Sequence, residues 1–173
     1  AFLKSETIWK ELVLEDIVKQ AGLASNKSIK IKIEVDCNPL LGFVTEEKLL
    51  LQPFSFYVKC FARPSLFAGK MHALLFRNWK NRVKGRDWYD LEWYIRKGIP
   101  LDMRHFVHRA RDTRDWQEET MTRQQFFHLL HNKINTVSFD KVKEDVVRFV
   151  QDEKSLEIWS KDYFMDLTEK LKL

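Results

Sequence analysis

The sequence predicts an α+β fold, with strands first and a helical lobe after them. Three observations carry this. Residues 29–36 alternate without a break between Ile29, Ile31, Ile33, Val35 and Lys30, Lys32, Glu34, Asp36, the period-2 pattern of a half-buried strand. From Pro64 onward the apolar spacing becomes that of helices. The chain of 173 residues is 45% hydrophobic and 13% aromatic, enough for a real core, which excludes wholesale disorder. Its 5 glycines and 4 prolines exclude a collagen-like chain.

Residues 6–20 carry Ile8, Leu12, Val13, Asp16 and Ile17 at helical spacing, so a helix is expected there, closing near Gly22. The strand at 29–36 comes next, and Asn38-Pro39 and Gly42 punctuate a turn. Apolar stretches at 48–51 and 54–60, parted by Gln52-Pro53, read as further strands. Pro64-Ser65 opens a helix with Leu66, Phe67, Met71, Leu74 and Leu75 as its stripe, and a loop from Lys80 to Gly85 breaks it. A second helix is expected over 87–97, buried through Trp88, Leu91 and Ile95 and stopped by Gly98 and Pro100. Further helices are expected at 101–112, at 123–134 after a Thr122 cap, at 139–150 after a Ser138 cap, and at 161–172. In the tail, Val142, Val146, Val147, Phe149 and Val150 form the apolar side. The expected division is a mixed region, 1–62, and a helical lobe, 63–173.

The net charge of +5 is unevenly spread: residues 1–60 are neutral, 61–115 carry +7 and 116–173 carry −2. Between Lys70 and Arg86 stand six cations (Lys70, Arg77, Lys80, Arg82, Lys84, Arg86) and no acid, and Asp87 and Asp90 follow at once. On helices, Lys70 and Arg77 share nearly one face, and Asp87 and Asp90 share another. Cations beside carboxylates suit phosphoryl chemistry. A basic hairpin with Trp79, Trp88 and Tyr89 nearby also suits nucleic acid. Equally, Arg86–Asp90 and Lys84–Asp87 fit surface ion pairs worth about 0–1 kcal/mol each. The residue pattern leaves all three readings open.

Glu34 and Asp36 end the alternating strand on its non-aliphatic face, where a metal-binding carboxylate would project; the same positions fit a solvated strand face. His105 and His108, and His128 and His131, sit at i, i+3, but no third ligand has convincing spacing, so they read as partly buried or surface histidines. Glycines are isolated, without a phosphate-cradling loop, and no nucleophile arrangement has local support. Cys37 and Cys60 read as reduced, buried thiols. No apolar run approaches a membrane span and no N-terminal stretch has a signal-peptide layout, so a cytoplasmic location is expected.

The segments Lys32-Ile-Glu-Val-Asp36-Cys-Asn-Pro39, Gln52-Pro53-Phe54, Ser65-Leu-Phe-Ala-Gly-Lys70-Met-His-Ala-Leu-Leu-Phe-Arg77 and Lys84-Gly-Arg86-Asp87-Trp-Tyr-Asp90 resemble the AbiEii/AbiGii toxin family of nucleotidyltransferases. The resemblance runs over about residues 1–110, in the same order and at similar spacing. It implies part of a DNA polymerase β-like nucleotidyltransferase sheet followed by a helical lobe. It also implies a toxin of a type IV toxin–antitoxin or abortive-infection system, transferring a nucleotide from an NTP to an acceptor such as tRNA, with Mg²⁺ as cofactor and a cognate antitoxin as partner. By motif, Lys70 matches the lysine on the nucleotide's phosphates and Asp87 the functional aspartate of the Arg-Asp motif. Asp36 is the third catalytic candidate, as a Mg²⁺ ligand, with Glu34 the less favoured one; Arg77, Lys84 and Arg86 join Lys70 in phosphate binding, and Asp90 has a supporting place.

One motif of the family departs: the Gly-Ser or Gly-Gly-Thr turn followed by Asp-x-Asp is absent and is expected upstream of Ala1. The chain then reads as the C-terminal portion of a longer enzyme, inactive alone, with a degenerate relative of the family as the alternative. The rival readings are a non-catalytic basic module that grips RNA or an acidic partner, and a helical scaffold whose basic hairpin is a solvated face.

Overall fold

The computed structural model of the chain describes residues 7–12, 29–34, 40–52, 54–77 and 83–173, the first two of these as backbone. Strand β1 (Thr7–Leu12) pairs antiparallel with β2 (Ile29–Glu34), Thr7 opposite Glu34 and Leu12 opposite Ile29. This corrects the helix expected over 6–20, because residues 7–12 are a strand. Ile8 and Leu12 are four apart, a spacing that satisfies a helical turn and strand parity alike. The β-branched pair Thr7-Ile8, followed by Trp9, favours the strand. In the observed register Ile8 stands opposite Ile33 and Leu12 opposite Ile29, on the parity of the β2 isoleucines. Val13, Asp16, Ile17 and Gly22 lie outside the described residues, as do Val35, Asp36, Cys37, Asn38-Pro39, Trp79, Lys80 and Arg82.

The chain separates into two compact units, Ala1–Leu41 and Gly42–Leu173. The second opens with a hairpin of β3 (Thr45–Leu50) and β4 (Phe56–Phe61), antiparallel with Thr45 opposite Phe61. Both apolar stretches expected as strands fall here. The hairpin is peripheral, with Tyr57 72% exposed, and Cys60 is half-buried and free. The Ala62 amide donates to the Val44 carbonyl (2.8 Å), the Val44 amide to Ser65 Oγ (3.1 Å), and Ser65 Oγ to Asp102 Oδ2 (2.9 Å). One buried serine thus ties the hairpin to the helices.

Helix α1 (Arg63–Phe76) has Pro64 in its first turn, where the missing N–H costs nothing. It buries Phe67, Ala68, Met71 and Leu74. Leu66, expected in that stripe, is exposed because it lies 100° from Phe67 around the helix. Helix α2 (Gly85–Arg96) buries Trp88, Leu91 and Ile95 as expected, and Gly98 follows it with φ +62°, a conformation that favours glycine. Helix α3 (Met103–Asp112) is capped by Asp102, whose Oδ1 accepts from the His105 amide at 2.9 Å. Helix α4 (Arg123–Thr136) opens on a capping box between Thr122 and Gln125.

Helix α5 (Phe139–Val146) is shorter than the 139–150 expected; a 3₁₀ turn at Val147–Phe149 succeeds it. Seven residues after Val142, Phe149 would share its face in a continued α-helix. The tighter turn leaves Phe149 exposed instead. A second 3₁₀ turn, Glu153–Leu156, leads to α6 (Lys161–Thr168).

Helix α2 packs against both α1 and α5, and α1 against α3. Trp88 meets Phe139 and Phe164 edge-on, each at 5.1 Å, and Phe67 stacks on Tyr94 at 4.5 Å. Buried Glu92 accepts from Trp159 Nε1 (3.2 Å) and from the Tyr163 hydroxyl, with Arg96 at 3.8 Å. Burial, and then that bond to Glu92, push the Tyr163 pKa up. No helix among the described residues is long and apolar enough to cross a membrane.

Candidate functional site

The basic segment and its two aspartates meet where α1 and α2 pack. Lys70 lies off the buried stripe of α1, and its Nζ stands 2.7 Å from Asp90 Oδ2 on α2. One turn earlier on the same face of α2, Asp87 is only 6% exposed, with Lys84 Nζ at 3.8 Å. Burial is the main influence on Asp87 and raises its pKa; Lys84, Arg77 and Lys70 pull it back down, and Asp90 raises it further. Asp87 is therefore no partner in a surface ion pair. Nor does Arg86 pair with Asp90: its guanidinium lies over the Phe149 ring, 4.7 Å from the centroid, and Lys70 takes Asp90. The 3₁₀ turn that exposes Phe149 thus supplies the surface on which Arg86 rests.

The start of α2 is fixed against α5 by Gly85. A β-carbon there would stand 2.3 Å from the Val142 carbonyl oxygen and 2.9 Å from Val146 Cβ, so only glycine allows the approach. The Gly85 amide donates to Asp145 Oδ2 at 3.0 Å. Backbone contact and this bond set Arg86 and Asp87 in place.

Two cavities result. Lys70, Lys84, Arg86, Asp87 and Asp90 wall one of about 300 Å³, together with Tyr89 and Phe149. Arg77 is not among them; as the C-terminal cap of α1 it lines a second cavity of about 320 Å³. Lys84 and Asp87 belong to both walls. The second cavity also holds Lys133 from α4 and Lys141 from α5, which nothing in the local pattern singled out. The signal for Lys133 was its place seven residues after Phe126 and three after Leu130, on the apolar face of α4. Burial lowers its pKa, with Asp87 pulling the other way.

Of the aromatic residues near the basic segment, Trp88 is core and Tyr89 is exposed. Asp36 lies outside the described residues, and Glu34 is the last residue of β2, opposite Thr7. Among the described residues no group of three His, Cys, Asp or Glu side chains is placed to hold a metal. Asp87 and Asp90 each face a lysine, which is not the oxygen-rich cage a Mg²⁺ ion requires.

Three of the histidines are held by side-chain hydrogen bonds. His72 Nε2 lies 2.9 Å from Thr113 Oγ1 and 3.2 Å from Asp115 Oδ2, His128 bonds Asn132 (2.9 Å) and His131 bonds Thr168 (3.1 Å).

Comparison with known proteins adds one match. The family described as nucleotidyl transferase AbiEii toxin, type IV TA system, matches residues 15–168. No curated protein and no solved structure matches the chain. The family match takes in β2, the hairpin, and every helix from α1 to the end of α6, well beyond Asp90, where the sequence motifs end. A match of that extent makes the chain a member of the AbiEii family of nucleotidyl transferase toxins of type IV toxin–antitoxin systems.

Proposed function

We propose that this protein transfers a nucleotide from an NTP to an RNA acceptor, with Lys70, Asp87, Asp90 and Arg86 as its working residues in the helical lobe. The observation that carries the reading is the Lys70–Asp90 pair at 2.7 Å beside the buried Asp87, on the wall of one cavity. Asp90 holds the Lys70 ammonium towards that cavity, where it neutralises the nucleotide's phosphates. Arg86, held over Phe149, adds a second cation at the rim. Asp87 is made more basic by burial, which suits a group that takes the proton of the attacking hydroxyl. The acceptor oxygen then forms its bond to the α-phosphorus, the bond to pyrophosphate breaks, and pyrophosphate leaves.

Residues 1–62 complete, in this reading, the polymerase β-like core. Nucleotidyltransferases of this kind typically use a divalent metal, and Asp36 is the residue of this chain we assign to Mg²⁺, ahead of Glu34. The family assignment supports a cognate antitoxin as partner, and we place the protein's site of action in the cytoplasm.

The test is Lys70→Ala in the protein expressed from its complete reading frame. Transfer of labelled nucleotide to RNA should fall by about 10²-fold or more, as expected for loss of one charge-stabilising group. Transfer at the wild-type rate would sink the assignment of Lys70.

A further inference from the structure

The second cavity has a composition that packing does not explain. Arg77, Lys84, Lys133 and Lys141 line it against a single carboxylate, Asp87. Among the described residues, the side chains of Arg77, Lys133 and Lys141 form no ion pair. A half-buried lysine without a carboxylate in contact is costly, because its charge is partly desolvated and only partly offset by the more distant Asp87. The cavity also opens at the start of α5: Ser138, the N-cap of that helix, stands on its wall with Lys141 one turn further on. The positive end of a helix dipole therefore adds to the cations. These features ask for a bound anion.

We infer that this cavity holds a backbone phosphate of the acceptor RNA strand, with Lys133 and Lys141 as its main ligands and Arg77 beside them. The inference rests on the reading of Lys70 and Asp87 given above. A transferase needs its two substrates on either side of the reacting group. Asp87 stands on both walls, and the Lys70 side is assigned to the nucleotide. The other side falls to the acceptor. A phosphodiester suits it because it is an anion that unpaired lysines and a helix N-terminus bind without reading a base.

The experiment measures binding of a short fluorescein-labelled oligouridylate and of tripolyphosphate to the same preparations. Lys133→Gln combined with Lys141→Gln should weaken oligouridylate binding by about tenfold and reduce the salt slope by about 0.7, one phosphate contact on a single strand. Tripolyphosphate affinity should stay within about twofold. Lys154→Gln with Lys161→Gln, the same change of net charge outside the cavity, should leave oligouridylate binding near wild type, and Lys133→Arg should retain it. An oligouridylate loss no greater than in that control pair overturns the proposal. So does a loss of tripolyphosphate binding in its place, which would make the cavity a nucleotide site. Lys70→Ala separates the two readings: it should weaken tripolyphosphate alone, and if it does not, the nucleotide assignment fails while the lysine-pair result still decides the RNA site.

Discussion

Burial raises the pKa of Asp87, and Lys84, Arg77 and Lys70 only partly draw it back. The native state therefore binds this proton more tightly than the unfolded chain does. Stability from the protonated form is complete below the unfolded pKa and is lost as pH rises through the folded value. At neutral pH the ionised carboxylate is a cost. Asp87→Asn should raise Tm at pH 7 and change it little at pH 3.5, a comparison two thermal melts supply. Glu92 serves as an acceptor: the buried Trp159 N–H and the half-buried Tyr163 hydroxyl both donate to it. Glu92→Ala leaves the Trp159 N–H and Tyr163 O–H without an acceptor and should cost about 2–4 kcal/mol in urea unfolding. Glu92→Gln, which keeps an acceptor oxygen, should cost less. Asp87 and Lys70 were legible in the sequence as the edge of a basic run. The Lys84–Asp87 pair was legible too, but the partner of Lys70 was not: Arg86 and Asp90 sit at helical i, i+4, yet Lys70 from another helix takes Asp90. A pair across two helices is invisible to spacing along one.

At the scale of elements, the approach of α2 to α5 controls where the site residues stand. Gly85→Ala would press a methyl into the Val142 carbonyl. A backbone atom cannot turn aside, so the variant should lose about 1–3 kcal/mol in urea unfolding. The helices themselves were readable from the 3.6-residue stripe, as Trp88, Leu91 and Ile95 on α2 illustrate. Residues 7–12 misled because a spacing of four serves both periods, and only pairing with β2 decides between them. Phe149 misled in reverse: its phase fits a helix that gives way at Val147 to the 3₁₀ turn in which Phe149 lies.

Over the whole molecule, charge summed along the chain places +7 in residues 61–115 and −2 in the tail. Charge in space is arranged differently, because the slightly acidic tail contributes Lys133 and Lys141 to the basic cavity. Acid response is likewise a property of the packed body. Burial lowers the pKa of His72 and of His105, with Arg109 reinforcing it in both. A depressed histidine lends stability above its unfolded pKa of 6.5 that is lost as pH falls through the folded value. Tm should therefore decline as pH drops from 7 toward 5, and His72→Gln should flatten the decline.

The central claim is that buried Asp87 is kept for chemistry at a cost in stability. Its most direct test is transfer of labelled nucleotide to RNA by the protein expressed from its complete reading frame, wild type and Asp87→Asn, both confirmed folded by their melts. The expected result is a variant at least as stable as wild type, with transfer reduced by about 10²–10⁴-fold. A folded Asp87→Asn protein that transfers nucleotide at the wild-type rate would contradict it.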